Sequence, residues 1–327
     1  MESLYEARTD VLLPSDYNYS LSFITVIPFE IENAVSSIRS INAIAQELGR
    51  NYEIIAAYTR SIGNLKETID SLSSEIPDLI AIQREFSTFG GGKQIAFEES
   101  SGKFIIPFNC RISYPLEYAD ILHGFLKLKI RRLFFSELPL IGRDIILDAG
   151  GWRDLNNGED IDLYTRIAMN YGVFAFPTGI FRENVHHIGE ILSIREPTEF
   201  PSRGFAADQN AIRDLIIACN YSLSDIRELI MIRRANGYRS RLATFLISYF
   251  RSRLYHVRPV VYTKNNLVIF MESVLESLIL KEYFRLGIQE DYVNLRIDQV
   301  LLDFLLSRSK MFRDMRSSLE YFLRGNH

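Results

Sequence analysis

The feature that most limits what this chain can fold into is a hydrophobic period that switches back and forth between Leu21 and Ile82. Leu21 to Ile27 is a short apolar run rich in β-branched residues, and it stops at Pro28 as a buried strand does. From Ile31 the apolar positions fall at Ala34, Val35, Ile38, Ile41, Ala45 and Leu48, a helical stripe closed by Gly49. Glu53 to Ala57 reads as the next strand, Leu65 to Leu72 as the next helix and Asp78 to Ile82 as a third strand. That alternation predicts an α/β fold with a doubly wound, mainly parallel sheet. Ligands of such sheets bind outside the carboxyl ends of the strands. Here that rule selects Pro28–Glu30, Tyr58–Asn64 and Gln83–Gln94.

At 327 residues and 47% hydrophobic content, the chain can bury one large core and a second, smaller one. A net charge of -4 gives no general attraction to nucleic acid. Cys110 and Cys219 have neither the spacing of a disulfide framework nor that of a zinc site, so a reducing, cytoplasmic setting is expected. Met1 to Asp16 carries acids and no basic start followed by an apolar run, unlike a signal peptide. No stretch approaches the ~20 apolar residues a bilayer span needs. A soluble protein, or one peripheral to a membrane, is expected.

Phe89-Gly-Gly-Gly-Lys93 suggests a phosphate loop, but the Walker pattern needs Gly at position 87 and Ser or Thr at 94, where this chain has Ser87 and Gln94. A glycine loop followed by a helix from Gln94 to Ser100 is the expectation. Gly102 to Phe108 reads as a strand, followed by Asn109-Cys110-Arg111, and Phe134 to Leu147 is an apolar run. Gly150-Gly151 then lets the backbone turn or approach a ligand, since neither residue carries a Cβ. Trp152, the only tryptophan, offers a flat apolar face with one donor. Glu159-Asp160 stands at the mouth of a helix starting near Ile161, where the dipole favours a carboxylate. Asp160 as an N-cap alone is the plainer alternative.

The run Gly-Gly-Trp, a short polar spacer, then Gly-Glu-Asp-x-Asp-Leu-x-x-Arg resembles the acceptor-side motif of family 2 glycosyltransferases of the GT-A fold. The resemblance covers residues 20 to 190, makes Phe134 to Leu147 the strand leading into the Gly-Gly-Trp loop, and implies sugar transfer from a nucleotide-sugar donor to an acceptor hydroxyl, with inversion. Asp160 would be the general base, and Glu159 and Arg166 would orient the loop or the sugar. Gly150, Gly151, Trp152 and Arg166 would meet the acceptor, which could be a glycan, a lipid-linked sugar or a protein. On the donor side it points to Pro28, Glu30, Arg60, Lys93, Asn109 and Arg111, and to His187 as a phosphate or metal contact. A hydrogen-bonded loop or core histidine is the plainer reading of His187. In the family an Asp-x-Asp motif holds Mg²⁺ or Mn²⁺ where this chain has Asn109-Cys110-Arg111. These ions prefer carboxylate oxygens, and Arg111 would repel them. Either the fold persists as a non-catalytic binding or assembly protein, or Arg111, with Arg60 or Lys93, neutralises the leaving diphosphate and no metal is required.

Glu196-Pro197 to Pro201-Ser-Arg-Gly204 marks the expected boundary between a domain over residues 1–200 and a helical domain over 201–327. Beyond it, Asn210–Cys219, Ser224–Arg233, Arg239–Tyr255, Asn266–Leu286 and Ile297–Leu323 show helical spacing. From Leu229 to Lys264 there is no acid, and eight basic residues are interleaved with aromatics. A contact with an anionic membrane surface and a helical bundle with a self-association face are both open. No nucleic-acid motif accompanies the charge.

Overall fold

The computed structural model describes residues 21–27, 32–59, 65–176, 205–237, 242–254, 265–287 and 297–315. The central sheet is built from β1 (Leu21–Ile27), β2 (Tyr52–Tyr58), β3 (Leu79–Gln83), β4 (Phe104–Pro107) and β6 (Ile141–Gly142), in the order β3-β2-β1-β4-β6. The first four strands are parallel and β6 runs antiparallel to β4. A second, parallel pair joins β5 (Leu133–Phe135) to β7 (Val173–Ala175). The fold is therefore mixed α/β with a mostly parallel sheet, as the alternating period predicts. β1 is buried along its whole length because strands flank it on both edges and helices cover its faces.

Helices α1 (Glu32–Glu47) and α2 (Leu65–Glu75) fall where the stripes place them. Their successor corrects the reading of the glycine loop. Residues Phe89–Glu99 form α3, and the three glycines lie in its first turn. Thr88 caps it, its Oγ1 accepting from the Gly91 N–H at 3.0 Å. The glycines are there for close approach: a Cβ on Gly90 would stand 1.9 Å from the Arg153 carbonyl oxygen, and one on Gly92 2.8 Å from Val26 Cγ2. Helical propensity, poor for glycine, gives way to the docking of α3 on β1 and on the loop at Arg153.

Two more readings change. Arg143–Asp148 is a short helix, α5, not the end of a strand. Tyr118–Leu128 forms α4, unforeseen in the sequence. Helix α6 spans Glu159–Tyr171, so it starts two residues before Ile161, with Gly158 as its N-cap at φ 75°. Gly172 (φ 76°) ends it.

The later helices are α7 (Phe205–Ala218), α8 (Leu223–Ala235), α9 (Leu242–Leu254), α10 (Asn266–Ile279), α11 (Gln299–Arg308) and α12 (Lys310–Asp314), with a 3₁₀ turn at Glu282–Leu286. The run from Asn266 therefore breaks at Leu280, and the last one breaks at Ser309, whose hydroxyl caps the next helix through the Phe312 N–H. The boundary expected at Glu196–Gly204 lies outside the described residues. The helices beyond it pack into the same apolar core as the sheet, α10 lying against α6 and β7. Thr165 Oγ1 donates to the Asn266 carbonyl at 3.2 Å, and the Ala175 N–H donates to Ser277 Oγ at 3.0 Å. Among the described residues no helix is long and apolar enough to cross a membrane.

Candidate functional site

In a sheet ordered β3-β2-β1-β4, successive crossovers run one way from β1 and then return to its other side, so the switch point lies between β1 and β4. The carboxyl ends of those two strands are joined there by side chains. Thr25 Oγ1 donates to the Phe108 carbonyl at 2.8 Å, and the Cys110 thiol donates to the Val26 carbonyl at 3.3 Å. Asn109 Oδ1 accepts from the Arg111 N–H at 3.0 Å, a tight polar turn that leaves the side chains of Asn109 and Arg111 exposed.

Helix α3 lays Gly92 against Val26, which brings Lys93 to the same edge. Lys93 Nζ donates to Glu159 Oε1 at 3.1 Å and to Asp160 Oδ2. The other Asp160 oxygen, Oδ1, accepts from Trp152 Nε1 at 2.8 Å. Glu159, Asp160 and Lys93 are only 0%, 4% and 9% exposed. Two acids at one helix start need a cation when buried, and Lys93 with the α6 dipole supplies it. Burial pushes the Cys110 thiol up to about 11, while Arg111 and, more weakly, Lys93 pull the other way. Burial also drives the Tyr164 phenol well above its ordinary range, and the charges of Asp160 and Glu159 and the neighbouring Tyr114 push the same way. Tyr114 in turn accepts from the Asn109 N–H at 3.0 Å. Tyr114 is thus bonded to the turn after β4 and acts on Tyr164 in α6.

The glycine–tryptophan loop is held from behind. Arg166 donates through Nη2 to the Gly151 carbonyl and to Asp162 Oδ2, both at 2.7 Å, through Nε to the Asp162 carbonyl at 3.2 Å, and through Nη1 to the Ala149 carbonyl. Gly150 and Gly151 adopt φ 81° and 70°, which accounts for both glycines. Gln94 Oε1 accepts from the Trp152 N–H at 2.9 Å, and Phe97 meets the indole edge-on at 5.9 Å.

Of the residues selected in sequence, Lys93, Trp152, Glu159 and Asp160 form one contact network, and Asn109 and Arg111 lie at the adjoining strand end. Gly150, Gly151 and Arg166 form the loop behind it. Arg166 lies 5% exposed with its guanidinium bonded to backbone and Asp162, so it shapes the loop from inside. Pro28, Glu30, Arg60 and His187 lie outside the described residues. Sequence reasoning gave no role to Gln94, Asp162, Tyr114 or Tyr164. The four-residue step from Asp162 to Arg166 was a usable signal for one of these.

A divalent cation would find poor donors at the end of β4. Asn109 already accepts a hydrogen bond, the Cys110 thiol is buried and aimed at a carbonyl, and Arg111 bears charge of the same sign. Among the described residues no group of three or more His, Cys, Asp or Glu could hold a metal ion.

The fold and this site define a mixed α/β protein with a buried acid–lysine cluster at the carboxyl edge of its sheet. No protein-family model matches the chain, and no curated protein matches it either. Among solved structures it is similar to the mannosyltransferase PcManGT of Pyrobaculum calidifontis in complex with GDP-Man and Mn²⁺, at 12% identity and TM-score 0.43 over 97% of this chain and 88% of that one. It is similar also to TarS of S. aureus, residues 1–349 in complex with UDP-GlcNAc, at 11% identity and TM-score 0.47 over 86% and 97%. A third is the glucosyl-3-phosphoglycerate synthase of M. tuberculosis, at 12% identity and TM-score 0.42 over 63% and 83%. At such values the likeness assigns no residue and no ligand to this chain.

Proposed function

We propose that the protein is a glycosyltransferase of GT-A type that moves a sugar from a nucleotide-sugar donor to an acceptor hydroxyl with inversion. The observation that carries this reading is the network at the start of α6: Asp160 sits between Trp152 and Lys93, with Arg111 at the neighbouring strand end. In this reading Asp160 takes the proton of the acceptor hydroxyl while its oxygen attacks the anomeric carbon. The bond from that carbon to the diphosphate breaks, and the departing nucleoside diphosphate carries the new negative charge. Arg111 binds it bidentately. Lys93 turns from Asp160 toward it, which leaves Oδ2 free to accept the proton. Two cations are needed because one unit pair at 4 Å contributes only ~4 kcal/mol at an effective dielectric of 20. Glu159 holds Lys93 in place before the donor arrives, Trp152 orients the base, and Arg166 shapes the acceptor side through Gly150 and Gly151. No metal is required in this scheme.

Asp160→Asn tests it. The amide fits the same space, so donor binding should persist while transfer falls by about 10² to 10⁴, the usual contribution of a general base. Transfer at the wild-type rate would remove the assignment. Calorimetry with a panel of nucleotide sugars, with and without excess chelator, addresses the donor side: binding indifferent to chelator supports the cation clamp.

A second reading has its own observation. Both Asp160 oxygens are engaged and the side chain is nearly inaccessible. A non-catalytic binding or assembly protein would use the same cluster as a structural lock. Such a protein would bind no nucleotide sugar in the same panel.

A further inference from the structure

Helix α9, Leu242–Leu254, splits its residues cleanly by depth. Thr244, Phe245 and Ser248 are buried, and Ser248 Oγ donates to the Gln209 carbonyl of α7 at 3.0 Å. On the opposite side Leu246, Ile247, Phe250 and Leu254 face solvent, Phe250 at 62% and Leu254 at 80% exposure. With about 100° of turn per residue these four fall within a stripe about 100° wide, and Arg251 and Arg253 lie roughly 80° to either side of its axis. The arginines are exposed and their partners are neutral: Arg251 donates to Gln209 Oε1 at 2.9 Å and Arg253 to the Tyr249 hydroxyl at 2.9 Å. The helix has no acid, and the surrounding sequence has none from Leu229 to Lys264, where eight arginines and lysines lie.

We infer that this face of α9 docks on an anionic lipid surface, Phe250 and Leu254 entering the acyl boundary while Arg251 and Arg253 meet the headgroup phosphates. An apolar stripe edged by cations is the pattern of a helix lying in the plane of a membrane. Charge argues against a second copy of the same face. Pairing two such helices would bring arginine toward arginine, with no acid on either helix to compensate. This inference stands independently of the transfer reading, since none of its residues belongs to the site at α6.

The full-length protein is tested by flotation with vesicles of phosphatidylcholine alone and of phosphatidylcholine with about a third phosphatidylglycerol. Binding is expected to the mixed vesicles only and to weaken with added salt. Arg251→Gln/Arg253→Gln should lower the partition coefficient about fivefold for each charge removed. Phe250→Ser/Leu254→Ser should abolish binding while thermal unfolding stays within the wild-type range, because both positions are solvent-exposed. No binding to the mixed vesicles, or equal binding to both kinds, overturns the inference. So does a stable dimer in light scattering that Phe250→Ser/Leu254→Ser dissociates, which would assign the face to self-association.

Discussion

Lys93 is a residue whose removal should be costly. It serves two buried carboxylates at once, Glu159 Oε1 at 3.1 Å and Asp160 Oδ2, and nearly all of it is enclosed. Lys93→Met would keep the volume and remove the ammonium that donates to two buried acids, a loss of about 3–5 kcal/mol by the usual cost of breaking a buried pair. Denaturant unfolding of the variant checks this, and unchanged stability would mean water reaches the carboxylates. Little of this pairing was legible in advance. Glu159 and Asp160 stood out because acids at a helix start have a local electrostatic reason. Lys93 stood out only as a neighbour of glycines, because nothing local links positions 93 and 160; only the docking of α3 on β1 brings them together.

At the scale of elements, the sequence was readable wherever burial follows a period. β1, α1 and β2 came out within two residues of their expected ends, because a strand covered on both faces and an amphipathic helix each leave a repeating mark. The glycine run misled because composition at that point records packing instead of flexibility. α3 takes three glycines in its first turn so that it can touch Arg153 and Val26. Gly90→Ala makes the point measurable: helix propensity alone would stabilise by about 1 kcal/mol. A Cβ at 1.9 Å from the Arg153 carbonyl should instead destabilise by about 1–3 kcal/mol, seen as a lower melting temperature. α5 was missed because six residues are too few to show a helical period.

For the whole molecule, the two buried cysteines report on how the halves are coupled. Cys110 lies at the end of β4, and Cys219, just after α7, accepts through its carbonyl from the Asn266 N–H at 2.9 Å. Burial pushes Cys110 up to about 11 and Cys219 to about 12. Both raised values favour the protonated thiol in the folded state. Stability from this source is whole below the ordinary thiol range near 9 and is lost as pH rises through 11 and 12. The slope is about 1.4 kcal/mol per pH unit for each thiol. If the sheet and the later helices share one cooperative core, both thiols should become reactive to a disulfide reagent in a single alkaline transition. Two separate transitions would support the division expected near residue 200. The sheet order carries one more consequence. β1 finds β2 soon after it leaves the ribosome, but its other partner is encoded 83 residues later, from Leu21 to Phe104. At the usual pace of translation, the growing chain carries a bare, sticky edge for on the order of ten seconds, and a chaperone that shields nascent strands would find its work there.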